Sequence, residues 1–147
     1  MLRCSADTFE HYMSLYGWEF TQEAESQWRS GWKGIHRYFN LDIFMTDTWI
    51  MFMVKPFYQL DFEQAADYET IRYLLELNQK AQMVKLYLDE DGSVVLSLQV
   101  YRGGFSYEEL ATSLGIMGHY ADELYGELLL KVQEAEGSLH PRALLLT

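Results

Sequence analysis

Two periods of apolar residues run along the chain. Phe9, Tyr12, Met13 and Tyr16 recur at i, i+3, i+4 and i+7, one stripe of a helix over Ser5 to Tyr16. Ser5 is placed to cap its start, and Gly17 to end it in a left-handed residue. Trp18 to Ser26 is polar and acidic and reads as a connection. Between Gln27 and Phe39, the residues Trp28, Trp32, Ile35, Tyr38 and Phe39 could form a helical stripe. Gly31 and Gly34 lie inside it, and each would cost about 1 kcal/mol in a helix, so the stretch reads as a strand. Leu41 to Met45 and Trp49 to Lys55 follow as strands around the turn-like Thr46-Asp47-Thr48. Pro56 cannot donate to a ladder and is expected to close the last strand of a three-stranded meander.

The apolar positions of the second half are mostly Leu and Val. Asp67 to Gln82 reads as a helix with Asp67 as N-cap and Ile71, Leu74, Leu75, Asn78 and Ala81 on one face. Asp61 to Gln64 is expected to start a short turn before it. Met83 to Leu88 and Ser93 to Tyr101 alternate around Asp89-Glu90-Asp91-Gly92, a hairpin signal because Gly accepts positive φ. Ser106-x-x-Glu109 is a capping box that opens a long helix with Leu110, Leu114, Met117, Ala121, Leu124 and Leu128 on one face. The order α-β-β-β-α-β-β-α implies an α+β fold, an antiparallel sheet packed by helices. One domain is expected over residues 1–136, with a C-terminal tail over 137–147.

Charge excludes several roles. The 147 residues carry 22 Asp+Glu against 11 Lys+Arg, a net charge of −11. Nucleic-acid affinity rests on Lys and Arg neutralising phosphates, and the basic residues here are scattered, so no nucleic acid is expected as a partner. Anionic membrane surfaces are disfavoured for the same reason. The longest apolar run, Trp49 to Val54, is far short of the ~20 residues that span a bilayer. The first residues lack the apolar stretch of a signal peptide, and Cys4 has no second cysteine to pair with. A reducing cytoplasm is the expected location.

Catalytic signatures are not found. The chain lacks a P-loop, Gly-x-Gly-x-x-Gly, Gly-x-Ser-x-Gly, His-Glu-x-x-His and Cys-x-x-Cys. His119 and Glu123 share a helix face, but a metal site needs three or four ligands, and a solvated polar pair is expected. Asp89-Glu90-Asp91-Gly92 resembles the start of a calcium loop without its distal Glu, and the hairpin turn explains it. Cys4 reads as a passive thiol, and Asn78 as an amide bonding nearby backbone. No cofactor, metal or catalytic residue is expected.

One stretch carries a family resemblance. Leu74-Leu75-Glu76-Leu77-Asn78, then Lys85 to Gly92, then Ala121-Asp122-Glu123-Leu124-Tyr125, together with Tyr16-Gly17-Trp18 and the element order, resemble the YbjN family of bacterial sensory transduction regulators. That resemblance implies a fold similar to class I type III secretion chaperones, which are small, acidic, usually dimeric and bind extended partner segments. It implies no catalytic residues.

Strand Trp49 to Val54 is apolar on both faces, with Ile50, Phe52 and Val54 on one and Trp49, Met51 and Met53 on the other. A sheet covered on one side needs only one such face. Trp28, Trp32, Trp49, Met51 and Met53 are therefore the candidate partner- or subunit-binding residues, Met because it recurs on adaptable binding surfaces and Trp because interfaces enrich it. The expected function is a dimeric, chaperone-like or regulatory protein-interaction domain. The alternative is a small-molecule sensor or enzyme with a pocket lined by Trp28, Trp32 and Trp49.

Overall fold

The structure, a computed structural model, describes residues 2–60 and 65–139. Helix α1 (Ala6–Tyr16) starts where the Ser5 hydroxyl accepts the Thr8 N–H at 3.1 Å, and stops at Gly17, whose φ is 91°. The stripe that predicted it sends Phe9 and Met13 into the core. A short strand follows, β1 (Thr21–Ala24), where a connection was expected. All four of its residues are exposed, so no apolar alternation marks it in the sequence.

The meander is β2 (Gln27–Lys33), β3 (Tyr38–Met45) and β4 (Trp49–Gln59). What reads as one strand over Gln27 to Phe39 is two strand segments with a tight turn between them, closed by the Gly34 N–H on the Arg37 carbonyl at 2.8 Å. Gly31 and Gly34 serve this hairpin by close approach. A Cβ on Gly31 would lie 2.6 Å from Tyr38 Oη, and one on Gly34 would lie 2.5 Å from Asp122 Oδ1. Strand β4 does not stop at Pro56. Its register against the next strand shifts between Val54 and Tyr58, and Pro56 lies in that irregularity, where no ladder donor is required.

Helix α2 (Ala65–Lys80) starts earlier than expected, so Asp67 sits in its first turn, where a carboxylate favours the helix dipole, and is not the cap. The Asp61-x-x-Gln64 turn lies outside the described residues. Leu74 and Leu77 face inward and Leu75 is exposed, a rotation of the expected stripe. Hairpin β5 (Val84–Leu88) and β6 (Ser93–Tyr101) turns at Gly92, φ 83°. Helix α3 (Tyr107–Leu139) begins at Ser106, whose hydroxyl accepts the Glu109 N–H at 3.2 Å. Its six predicted core residues, Leu110 to Leu128, are all buried.

The six strands form one antiparallel sheet in the order β1-β2-β3-β4-β6-β5. The three helices share one of its faces: Phe9 of α1 packs on Trp28 and Phe52, Asn78 of α2 bonds Leu86, and α3 brings Gly118 to Trp32. The β2–β3 turn docks on α3 through the Ile35 N–H, which donates to Asp122 Oδ1 at 2.8 Å. Asp122→Ala is expected to cost about 1 kcal/mol and to speed exchange of the Ile35 amide, read by hydrogen exchange. Unchanged exchange at Ile35 would show that the bond does not hold the turn.

The open sheet face as candidate functional site

Alternation along β4 separates two surfaces. Ile50, Phe52 and Val54 point under the helices and are essentially fully buried. Trp49, Met51 and Met53 point the other way and are half-buried. Cross-strand pairing gives Met51 and Trp49 an aromatic neighbour each, while Met51 also faces Gln99 and Met53 lies between Asp42 and Ser97. Phe44 lies opposite Met51, and Tyr101 opposite Trp49, with the two rings stacked at 4.5 Å and 21°. Tyr87 Oη donates to Met53 Sδ at 3.3 Å. The Tyr87 side chain thus reaches from β5 across β6 to β4, and Val95 and Ser97 on this side are buried although no described helix covers them.

Charged pairs ring the apolar row. Arg29 meets Asp42 at 3.2 Å, and Arg3 meets Asp47 at 3.1 Å. Lys55 bonds Asp89, which holds its ammonium above the usual lysine range, and lies 3.7 Å from Asp91. Asp91 sits below the usual carboxylate range because the Ser93 backbone N–H donates to it. At the Trp49 end, Arg102 ties the loops together by donating to the carbonyls of Cys4 (2.7 Å) and Thr46 (2.9 Å). These exposed pairs contribute little stability each, but they leave thioethers and aromatic rings as the chemistry of the centre.

The five sequence candidates divide between the two faces. Trp49, Met51 and Met53 lie on the open one. Trp28 does not: it is 1% exposed, packs on Phe9 at 4.9 Å, and its Nε1 donates to Glu10 at 2.8 Å. Trp32 is also on the helix side, stacked on Trp18 at 5.3 Å and tilted against Phe39 at 5.4 Å. Its buried Nε1 has no hydrogen-bond partner among the described residues. The expected set is thereby corrected for these two, because strand alternation shows that two faces exist but not which one the helices take. Phe44, Tyr87 and Tyr101 were not anticipated. For Phe44 and Tyr87 a signal is present, since each is out of phase with the buried positions of its own strand, whereas Tyr101 shares the phase of the buried Val95 and Ser97.

The three tryptophans line no common cavity. An open groove of about 670 Å³ lies at the other end of the sheet, lined by Ser14, Gly17, Trp18, Phe20, Tyr38 and Asn40 among others. Among the described residues no cluster of three or more His, Cys, Asp or Glu is placed to hold a metal. His119 and Glu123 form an exposed pair at 2.8 Å. Cys4 is buried, and burial pushes its thiol up. No described helix is long and apolar enough to cross a membrane.

An antiparallel sheet with its helices on one face and a Met and aromatic row on the other defines a one-sided α+β architecture. The chain belongs to the YbjN family, described as "Putative bacterial sensory transduction regulator", which matches residues 5–130. No curated protein matches the sequence. Among solved structures, YbjN from E. coli, described as a putative transcription regulator, aligns with a TM-score of 0.55 and 18% identity over 92% of both chains. An uncharacterized protein from Methanothermobacter thermautotrophicus gives 0.56 and 12% over 87% of this chain and 96% of that one. A chain of the heterodimeric ExoU-SpcU complex from the type III secretion system of Pseudomonas aeruginosa gives 0.54 and 16% over 82% and 94%. At these identities the likeness is one of fold.

Proposed function

We propose that this protein is a non-enzymatic, chaperone-like or regulatory interaction domain. It holds a partner protein segment, or a second copy of itself, on the open sheet face around Trp49, Met51 and Met53. One observation carries the reading: a contiguous row of Phe44, Met51, Met53, Trp49 and Tyr101 crosses three neighbouring strands on the side away from the helices. Apolar area of this kind, rimmed by charge, marks an interaction surface. Membership of the YbjN family and the fold of a type III secretion complex support it. The net charge of −11 keeps such a surface soluble and favours basic partners. No cofactor takes part, and a cytoplasmic location suits the one unpaired cysteine.

The double substitution Met51→Lys with Met53→Lys tests this. Both side chains are half-buried on a helix-free face, so the variant is expected to keep its circular dichroism and to lose about 1 kcal/mol of stability or less per site. Association seen by light scattering, and partner recovery by affinity capture, are expected to fall sharply. A variant that unfolds would instead make these residues core. A wild-type chain that stays monomeric at high concentration would remove the dimer from the proposal and leave the partner segment.

A further inference from the structure

Helix α2 carries two apolar stripes. Leu74 and Leu77 point into the core, while Tyr68, Ile71 and Leu75 recur at i, i+3 and i+7 on a second flank. Tyr68 is 66% and Leu75 67% exposed. Between this flank and the edge strand β5 lies a groove of about 50 Å³. Ile71, Leu74 and Leu75 form one wall, and Leu86, Leu88 and Val94 the other. Among the described residues no charged side chain lines it. Each water-sized group needs about 10–15 Å³ of such space, so the groove holds about four, the carbons of one leucine side chain. Beside it the β5 edge is already taken. Asn78 Nδ2 donates to the Leu86 carbonyl at 2.8 Å, and the Leu86 N–H donates to Asn78 Oδ1 at 2.6 Å.

The path of the chain brings its end back toward this groove. Helix α3 runs antiparallel to α2: Lys80 bonds Glu127 at 3.2 Å, whereas Tyr73, earlier in α2, meets Lys131 with Nζ 5.5 Å from its ring centroid. From Lys131 to Leu139 α3 extends about 12 Å, and α2 extends as far from Tyr73 back to Ala65. Ile71 and Leu75 stand about 200° round the helix from Tyr73, so the groove and α3 lie on opposite flanks of α2. A segment leaving Leu139 must cross about 10 Å of helix and return about 12 Å along it, a path of about 16–22 Å.

Residues 140–147 lie outside the described residues, and their sequence is His-Pro-Arg-Ala-Leu-Leu-Leu-Thr. A proline two residues past the end of α3 disfavours continuation of that helix. Leu144, Leu145 and Leu146 stand five to seven residues past Leu139, an extended reach of about 17–24 Å that brackets the path. We infer that the groove between α2 and β5 is a docking site for this chain's own residues 143–146, with one leucine seated among Ile71, Leu75 and Leu88. Size, chemistry and tether select the occupant. The space fits one isobutyl group, the uncharged walls match four consecutive apolar residues, and the tether holds them at about millimolar effective concentration. Docking covers Leu75 and Leu88 and withholds this flank from a second copy of the chain. The site is separate from the open face of Trp49, Met51 and Met53.

Methyl NMR of the full 147-residue chain tests this. Nuclear Overhauser contacts are expected between Ile71 or Leu88 and at least one of Leu144, Leu145 and Leu146. In the full-chain variant Leu144→Ser, Leu145→Ser, Leu146→Ser the methyl shifts of Ile71, Leu75 and Leu88 are expected to move, while those of Ile50 and Val54 stay. A peptide of residues 140–147 at millimolar concentration is expected to restore them. Leu75→Lys, at an exposed position, is expected to free the segment, with backbone order parameters at residues 143–146 falling below about 0.6. Absence of the contacts in the wild-type chain overturns the proposal, as do contacts of these leucines with Met51 or Met53 instead. Contacts that vanish on dilution overturn it by assigning the segment to a second copy's groove. Shifts spread through the core of the triple variant overturn it by making the leucines core residues.

Discussion

Trp28→Ala is expected to lower the unfolding free energy by about 3–5 kcal/mol, whereas Trp49→Ala is expected to cost much less. Both are candidates for the same surface, and both are large aromatics on strands of one meander, β2 and β4. The difference is what each displaces. Trp28 is 1% exposed and wedged against Phe9, and its removal leaves a cavity beneath α1 and strands the Glu10 carboxylate that its Nε1 satisfies. Trp49 is half-buried and stacks on Tyr101 at the surface, so water can refill its place. Denaturant titration of the two variants measures both losses. Equal losses would mean that Trp49 is structural and that the open face is smaller than proposed. Association should respond in the opposite order, reduced by Trp49→Ala in proportion to its place in the interface.

Asn78→Ala is the second large effect, expected at about 2–4 kcal/mol. Two hydrogen bonds disappear, and the greater cost is that the Leu86 N–H and C=O, part-buried under α2, are left without partners. Asn78→Asp separates the two halves. Its carboxylate still accepts from the Leu86 N–H but faces the Leu86 carbonyl with like partial charge, so its loss is expected to fall near or beyond that of alanine. Both variants reopen the β5 edge, and concentration-dependent association is expected to accompany the loss of stability. Hydrogen exchange at Leu86 checks the local origin. If protection there is unchanged, the amide is not the lock that the distances imply.

Most of the elements were legible because they are amphipathic. The stripes of α1 and α3 and the alternation of β5 each bury one side, and burial is what writes a period into a sequence. Strand β1 was missed for the converse reason: all four of its residues face water, so nothing repeats. Pro56 signals a strand end by a rule that holds for regular ladders and not for a strand whose register breaks at that point. The leucines of α2 fit either of two stripes, one with Leu75 and one with Leu77 inward, and only the docked helix selects Leu77.

The amino-acid pattern alone determined the α+β class, the helix and hairpin order of the second half, and the surplus of apolar residues in strand Trp49 to Val54. It did so because periodicity records how many faces an element must hide. It could not record which face the helices cover, since both faces of that strand are apolar. Only the packing of α1, α2 and α3 onto one side decided that Ile50, Phe52 and Val54 are core and that Trp49, Met51 and Met53 remain open. The same packing drew Trp28 and Trp32 inward, and strand pairing brought Phe44, Tyr87 and Tyr101 beside the open row, across separations in sequence that no local pattern spans.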